Sequence, residues 1–342
     1  MHSIPASGIE RGREIVVQTI LDVQNLQTSF KQRKKRLYAV NGISFSLKKG
    51  EMLGIVGESG CGKSVSMLSL VHLLPPSATI DNGTVLFHGR DLRSMSKKEL
   101  RQIRGNQIGM IFQDPMTSLN PVMKIGDQVM EAIRHHKRLS KDEARSRAIE
   151  VLTLVGISNP AERLKAYPHQ LSGGMRQRIM IAMALTCNPE LIIADEPTTA
   201  LDVTIQAQIV ELIKRIRDEL HSSMILISHD LGLMAGMVDR IIVMYAGYIV
   251  EEAEVDDLYA NPLHPYTIGL LKSIPKLRGE VQEKLPSIEG SPPDLMQRPT
   301  FCPFVARCPY RIERCLRENP PLERRGDSGH KVACWVDTGG NV

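Results

Sequence analysis

The chain has 342 residues, with 43 Lys and Arg against 38 Asp and Glu, a formal net charge of +5 and an apolar fraction of 42%. That length suits one large or two small domains, and the balance is that of an ordinary globular protein without the strong basicity of a dedicated nucleic-acid binder. No stretch approaches the ~18 uninterrupted apolar residues of a membrane span, and residues 1–17, with Glu10, Arg11, Arg13 and Glu14, read as a charged N-terminal tail without the apolar centre of a secretory signal.

Residues 18–30 and 40–48 alternate as strands do, as in Ile43-Ser44-Phe45-Ser46-Leu47. The basic run Lys31-Gln32-Arg33-Lys34-Lys35-Arg36 between them lacks interleaved aromatics and reads as a solvated loop, not a nucleic-acid site. Met52 to Val56 is an apolar run that predicts a buried strand, and Ser64 to Leu74 predicts a helix. Between them Gly57-Glu58-Ser59-Gly60-Cys61-Gly62-Lys63-Ser64 fits the phosphate-loop pattern G-x-x-x-x-G-K-[ST] at every fixed position. A Gly-rich turn there aims backbone N–H groups into one concavity, and the helix N-terminus adds roughly half a positive charge. Lys63 can reach the β- and γ-phosphates and the Ser64 hydroxyl can hold Mg²⁺. The same dipole and Lys63 predict a thiolate-prone Cys61, open to maleimide and shielded by MgATP.

Thr84 to Phe87 predicts a short strand, and Ile108 to Phe112 another, followed by Gln113. Residues 125–187 read as helices broken at Gly156, Asn159-Pro160 and Pro168. Within them Leu171-Ser172-Gly173-Gly174-Met175-Arg176-Gln177-Arg178 opens an apolar helix. Leu191 to Ala194 is an apolar strand that ends in Asp195-Glu196. Ala200-Leu201-Asp202 then precedes a long helix, Val203 to Leu220, and His229 follows the strand Met224 to Ser228. Arg240 to Val250 returns to strand. Alternating strands and helices from residue 51 onward predict a mostly parallel α/β sheet with an antiparallel layer beside it.

Together these segments, over residues 18–265, resemble the ATP-binding-cassette ATPases, whose signature is LSGG. The resemblance implies that family's fold: a phosphate-loop parallel core, an antiparallel β layer, and a helical subdomain over about residues 114–187. It implies ATP and Mg²⁺, with Asp195, Ser64 and Gln113 on the metal side, Glu196 activating the attacking water, and His229 at the γ-phosphate. It implies an aromatic platform for adenine, Phe30 or alternatively Tyr38. Ser172, Gly173 and Gly174 form a second anion site at a helix N-terminus, which one chain does not need for one triphosphate. In the resembled family, cassettes pair head-to-tail and each signature closes over the partner's nucleotide, and the resemblance counts Asp202 among the ATP-binding residues. Met175 stands where the family more often has Gln.

After residue 265 the texture changes, defining an expected extension over 266–342. His264-Pro265-Tyr266-Thr267 leads into an apolar helix, Ile268 to Ile274, and Pro275 to Pro299 reads as an extended arm. Four of the six cysteines follow at Cys302, Cys308, Cys315 and Cys334. These features, with Met110 to Pro121 and Thr198 to Gln208, resemble the dipeptide and oligopeptide permease ATPases. That resemblance implies a homologous second cassette, two transmembrane permease subunits and an external peptide-binding protein, with this chain peripheral on the cytoplasmic face of the membrane. Some members carry an iron–sulfur cluster, so Cys302, Cys308, Cys315 and Cys334 are expected to hold [4Fe–4S]. The spacing lacks the close C-x2-C pairs of structural zinc, and zinc or free thiols stay as alternatives.

Two other classes are weighed. A soluble cassette acting on ribosomes or DNA usually has two cassettes or a coiled-coil insertion, and this chain has neither. A redox-regulatory protein would use the cysteine segment as its active part and the nucleotide as a control ligand. Within importers, nickel or sugars are alternative solutes.

Overall fold

A computed structural model describes residues 18–33, 35–199, 201–274, 288–326 and 329–339. The N-terminal tail, Ala200 and the first half of the Pro-rich arm lie outside the described residues.

The described chain opens with a long antiparallel pair, β1 (Thr19–Gln32) and β2 (Lys35–Lys48), in register from Gln32 opposite Lys35. The basic run is therefore mostly paired strand: Lys31 faces Arg36 across the hairpin, and Arg36 bonds Asp81 at 3.0 Å. The predicted loop is only the tip. Next come β3 (Met52–Val56) and α1 (Lys63–Leu70). β4 (Ala78–Phe87) and β5 (Arg90–Asp91) complete a sheet of order β2-β1-β4-β5.

There follow α2 (Lys97–Ile103), β6 (Ile108–Ile111), α3 (Pro115–Ser118), α4 (Ile125–His136), α5 (Lys141–Leu154), α6 (Pro160–Arg163) and α7 (Gly173–Leu185). The starts of α2 and α5 follow from capping boxes, Ser96 with Glu99 and Ser140 with Glu143. Then come β7 (Leu191–Asp195), α8 (Val203–Leu220), β8 (Ser223–Ser228) and α9 (Leu231–Met234). In α8, Ile209, Leu212, Ile213 and Ile216 are buried, the spacing of one helix face.

The single strand expected over 240–250 is two. β9 (Arg240–Tyr245) turns at Ala246-Gly247, both at positive φ, into antiparallel β10 (Tyr248–Glu254). Strands β9, β3, β8, β7 and β6 are parallel neighbours in that order. Every residue of β3, β7 and β8 is buried, as a parallel sheet covered on both faces requires. One core lies between this sheet and the antiparallel sheet and includes Met67 and Leu70 of α1. The other joins the sheet to α4, α5, α7 and α8. The α/β cassette fold expected from the sequence is the fold observed.

The C-terminal part follows as α10 (Val255–Ala260), α11 (Pro265–Lys272) and two short strands, β11 (Glu323–Arg324) and β12 (Lys331–Val332). β12 pairs with β10, so the extension widens the cassette's own sheet to eight strands. Phe304, Val305 and Cys302 enter the cassette core, with Phe304 edge-on to Tyr245 at 5.2 Å. His330 meets the fully buried carboxylate of Glu251 at 2.7 Å, and Glu251 also accepts the N–H groups of Leu263 and His264. A segment poor in large apolar residues thus folds on a borrowed core.

His264 explains the entry to α11. Its Nδ1 accepts the N–H of Tyr266 at 3.0 Å, which caps the helix and requires a neutral ring, and Pro265 takes the first turn. Complete burial lowers its pKa to about 4, against a weaker opposing pull from Glu251. A folded-state pKa below the ordinary 6.5 gives stability that is present above pH 6.5 and is lost as pH falls towards 4. Urea unfolding across that window is expected to show a loss of roughly 3 kcal/mol from this group. His264→Asn, which keeps an acceptor that does not titrate, is expected to flatten the slope. An unchanged slope in the variant would assign the acid sensitivity elsewhere.

Candidate functional site

The phosphate loop is shaped by two close approaches. A Cβ at Gly57 (φ 153) would stand 2.2 Å from the Met244 carbonyl oxygen, and one at Gly62 (φ 102) would stand 2.3 Å from that of Ala39. The loop is thereby pressed between β9 and β2, where only glycine fits. Gly62 caps α1 without any side-chain acceptor, which leaves the first-turn N–H groups turned to the cradle. Lys63 is buried, and its Nζ donates to the carbonyls of Gly57 at 2.7 Å and Glu58 at 3.1 Å.

Opposite the loop, β7 delivers two carboxylates. Asp195 is buried and accepts a hydrogen bond from Ser64 Oγ at 2.8 Å; burial pushes its pKa up, countered in part by that bond. Glu196 sits at φ 45, a left-handed conformation that costs energy and recurs at functional sites. The conformation turns its carboxylate into a cage. Oε2 accepts Gln113 Nε2 at 3.0 Å and Thr199 Oγ1 at 2.8 Å and lies 3.2 Å from His229 Nδ1, while Oε1 is 3.9 Å from Lys63 Nζ. Lys63, Ser64, Gln113, Asp195, Glu196 and His229 thus come together from four separate segments. Thr199 was not singled out from the sequence, since a lone hydroxyl three residues beyond a carboxylate carries no signal of its own.

Other expected residues stand elsewhere. Ser172 caps α7 by accepting the Met175 N–H at 3.3 Å, and Gly174 lies against Ile205 of α8. Asp202 caps α8 through the Ile205 N–H at 3.0 Å. Ser172, Gly173 and Gly174 therefore present a helix start on a different element from the phosphate loop. Phe30 is half-buried on β1, opposite Leu37 and Ala78. The Tyr38 ring is covered by the Arg298 guanidinium at 5.0 Å, and its N–H donates to Leu295.

Cys61 corrects the expectation of a reactive thiolate. It is buried, and desolvation raises its pKa despite the opposing pull of Lys63. Helix dipole and ammonium are outweighed because the thiol points into the core beneath the loop.

The four late cysteines are all free thiols. Cys302 N–H donates to the Cys315 carbonyl at 3.1 Å; Cys302 lies within electrostatic reach of the other three, Cys308 of Cys315 and Cys334, and Cys334 of Cys315. Burial pushes Cys302 up to about 12 and Cys308 up to about 11. Among the described residues, however, no group of three or more His, Cys, Asp or Glu side chains stands ready to hold a metal ion. The expected [4Fe–4S] cluster on Cys302, Cys308, Cys315 and Cys334 therefore has its donors in one neighbourhood but not in ligating geometry.

Two residues of the extension reach the phosphate loop. Tyr266 Oη accepts the Glu58 N–H at 2.8 Å, and Arg307 forms a two-pronged ion pair with the Glu58 carboxylate at 2.7 and 2.9 Å. Sequence reading missed both, since 249 positions separate Glu58 from Arg307.

The family models agree with this geometry. An ABC transporter model matches residues 40–199, and an oligopeptide/dipeptide transporter C-terminal region model matches residues 250–315. The chain is 54% identical over 321 residues to the dipeptide transport ATP-binding protein DppD of Bacillus subtilis, covering 94% of this chain and 95% of the relative. It belongs to the ATP-binding-cassette ATPases of the oligopeptide/dipeptide transporter family. Identity to the oligopeptide transport ATP-binding protein OppD of Salmonella typhimurium is 48% over 304 residues, 89% of this chain and 90% of the relative. A dimeric ATP-binding cassette solved in a post-hydrolysis state with ADP and Pi superposes with a TM-score of 0.62 at 30% identity, over 69% of this chain and 98% of that one.

The burial of Cys61 has a direct consequence. In the native chain at neutral pH, maleimide labelling at Cys61 is expected to be at least tenfold slower than in urea-unfolded chain, and MgATP is expected to change it little. Peptide mass spectrometry reads the site. Rapid native labelling that MgATP suppresses would restore the exposed thiolate.

Proposed function

We propose that this chain is the ATP-hydrolysing subunit of a membrane importer of dipeptides or oligopeptides. The observation that carries this reading is the Glu196 carboxylate, held by Gln113, Thr199 and His229 at the mouth of the phosphate loop. A carboxylate so fixed can accept a proton from a water aimed at the γ-phosphorus. The water oxygen bonds to phosphorus, the bond to the β–γ bridging oxygen breaks, and ADP leaves. Lys63 would exchange its carbonyl partners for phosphate oxygens, a charge-assisted gain over neutral ones. Phe30 is the better platform for adenine, since Arg298 already covers Tyr38.

The fit to Mg²⁺ rests on the Ser64 hydroxyl and the Asp195 carboxylate in mutual contact, hard oxygen donors of the kind that hold Mg²⁺ together with phosphates and water. Ser64, Asp195 and the Gln113 amide oxygen would hold the ion, which supplies neutralisation of phosphate charge. Ser172, Gly173 and Gly174, on a different element from the chain's own loop, suit the phosphates of a homologous partner cassette in a head-to-tail pair. Among the described residues no helix is long and apolar enough to cross a membrane. The proposed assembly therefore adds two permease subunits and an external binding protein, with this chain docked at the cytoplasmic face.

For the extension, four thiol donors suit iron–sulfur or zinc alike, and the absence of close C-x2-C pairs is what favours iron–sulfur. Cys302, Cys308, Cys315 and Cys334 would hold such a cluster only once deprotonated and shifted from the arrangement described above, and it would then supply a structural tie. Anaerobically purified chain is expected to be brown, with iron and sulfide in equal amounts. Cys302→Ser is expected to bleach it without abolishing ATP binding. A colourless protein with one zinc, or with no metal, would remove the cluster.

Glu196→Gln keeps shape and loses basicity. In the assembled importer it is expected to bind MgATP normally while kcat for hydrolysis falls by about 10²-fold or more. Near-normal turnover would take Glu196 out of the base role.

A further inference from the structure

The loop residue Glu58 poses a problem. It places a carboxylate in the second position of a cradle built for a polyanion, where an unpaired negative charge would repel the incoming phosphates. The structure answers it from the far end of the chain. Arg307 grips the Glu58 carboxylate with both Nη atoms, at 2.7 Å to Oε2 and 2.9 Å to Oε1. The guanidinium is itself fixed. Nε donates to the Glu289 carbonyl at 3.0 Å, Nη2 to that of Ile288 at 2.9 Å, and Nη1 to Tyr245 Oη at 3.3 Å. Its side chain is only 5% exposed, while that of Glu58 is 28% exposed, so the guanidinium is sheltered and the carboxylate stays within reach of solvent and salt. Glu58 is meanwhile held at its N–H by Tyr266 and at its carbonyl by Lys63.

We propose that Arg307 is a positioning residue for nucleotide binding: it neutralises and orients Glu58, so that the phosphate loop accepts the triphosphate only when the C-terminal extension is docked. The inference rests on the reading of residues 57–64 as the ATP site. Arg307 lies between Cys302 and Cys308 in sequence, and Phe304 beside it packs on Tyr245 and Tyr266. Disturbing the cysteine segment therefore disturbs the neutralising charge. Lys could supply the charge at this position but not the fork.

The test is titration of the full-length chain with a fluorescent ATP analogue, with hydrolysis measured in the assembled complex. Arg307→Met is expected to raise Kd and KM together by about tenfold, with kcat within about twofold of the parent. Arg307→Lys is expected to lose less, about threefold. The decisive comparison is Arg307→Met combined with Glu58→Gln. Removing the stranded carboxylate is expected to restore most of the affinity, a sign of coupling that lost packing alone does not give. Raising the salt concentration is expected to narrow the gap between Arg307→Met and the parent. Unchanged Kd in Arg307→Met, or a double variant no better than the single, overturns the proposal. If Arg307→Met fails to fold, Arg307→Gln with and without Glu58→Gln makes the same comparison. Lys63→Ala separates the two readings: if it binds the analogue as the parent does, the ATP-site assignment itself falls.

Discussion

Everything proposed for this protein depends on the confinement of one loop. Residues 57–64 are squeezed between the Met244 and Ala39 carbonyls, where a Cβ at Gly57 or Gly62 would collide with backbone. The Gly247 N–H donates to the Cys61 carbonyl from the turn between β9 and β10, and Tyr266 and Arg307 hold Glu58. The loop is therefore preorganised by both sheets and by the extension, and its backbone donors need little reordering when an anion arrives. Low reorganisation is what makes fixed dipoles effective on charged groups.

The same confinement explains the site's division of labour. β8 is a parallel neighbour of β3 and β7 a parallel neighbour of β8, so Asp195, Glu196 and His229 emerge at the same end of the sheet as the loop. This is where open α/β sheets bind ligands. Gln113, just after β6, reaches the same carboxylate from the far strand of that group. The signature segment is carried on a different element, with Ser172 and Gly173 exposed at the start of α7.

Much of this was legible in the sequence because it depends on local pattern. The phosphate-loop glycines, the apolar run before Asp195-Glu196, and the helical period of 203–220 each report on a structure made by adjacent residues. The cassette fold followed from their order. What escaped was long-range. The turn at Ala246-Gly247 needs positive φ at a residue that is not usually found there, so 240–250 read as one strand. β11 and β12 are two residues each and exist only because β10 offers an edge. Cys61 was misread because a helix dipole can be inferred from sequence while burial beneath a loop cannot. Thr199 and Arg307 act through single side-chain contacts that no periodicity records, and the four late cysteines are near one another without forming a ready ligand set.

The central claim is that ATP turnover at this loop drives a solute across a membrane. Its most direct test is uptake of a radiolabelled dipeptide into proteoliposomes that contain the complete importer, with nucleotide supplied only on this subunit's side. The account predicts accumulation with MgATP, in step with phosphate release, and none with a non-hydrolysable analogue. Equal uptake with the analogue, or hydrolysis that never moves peptide, would contradict it.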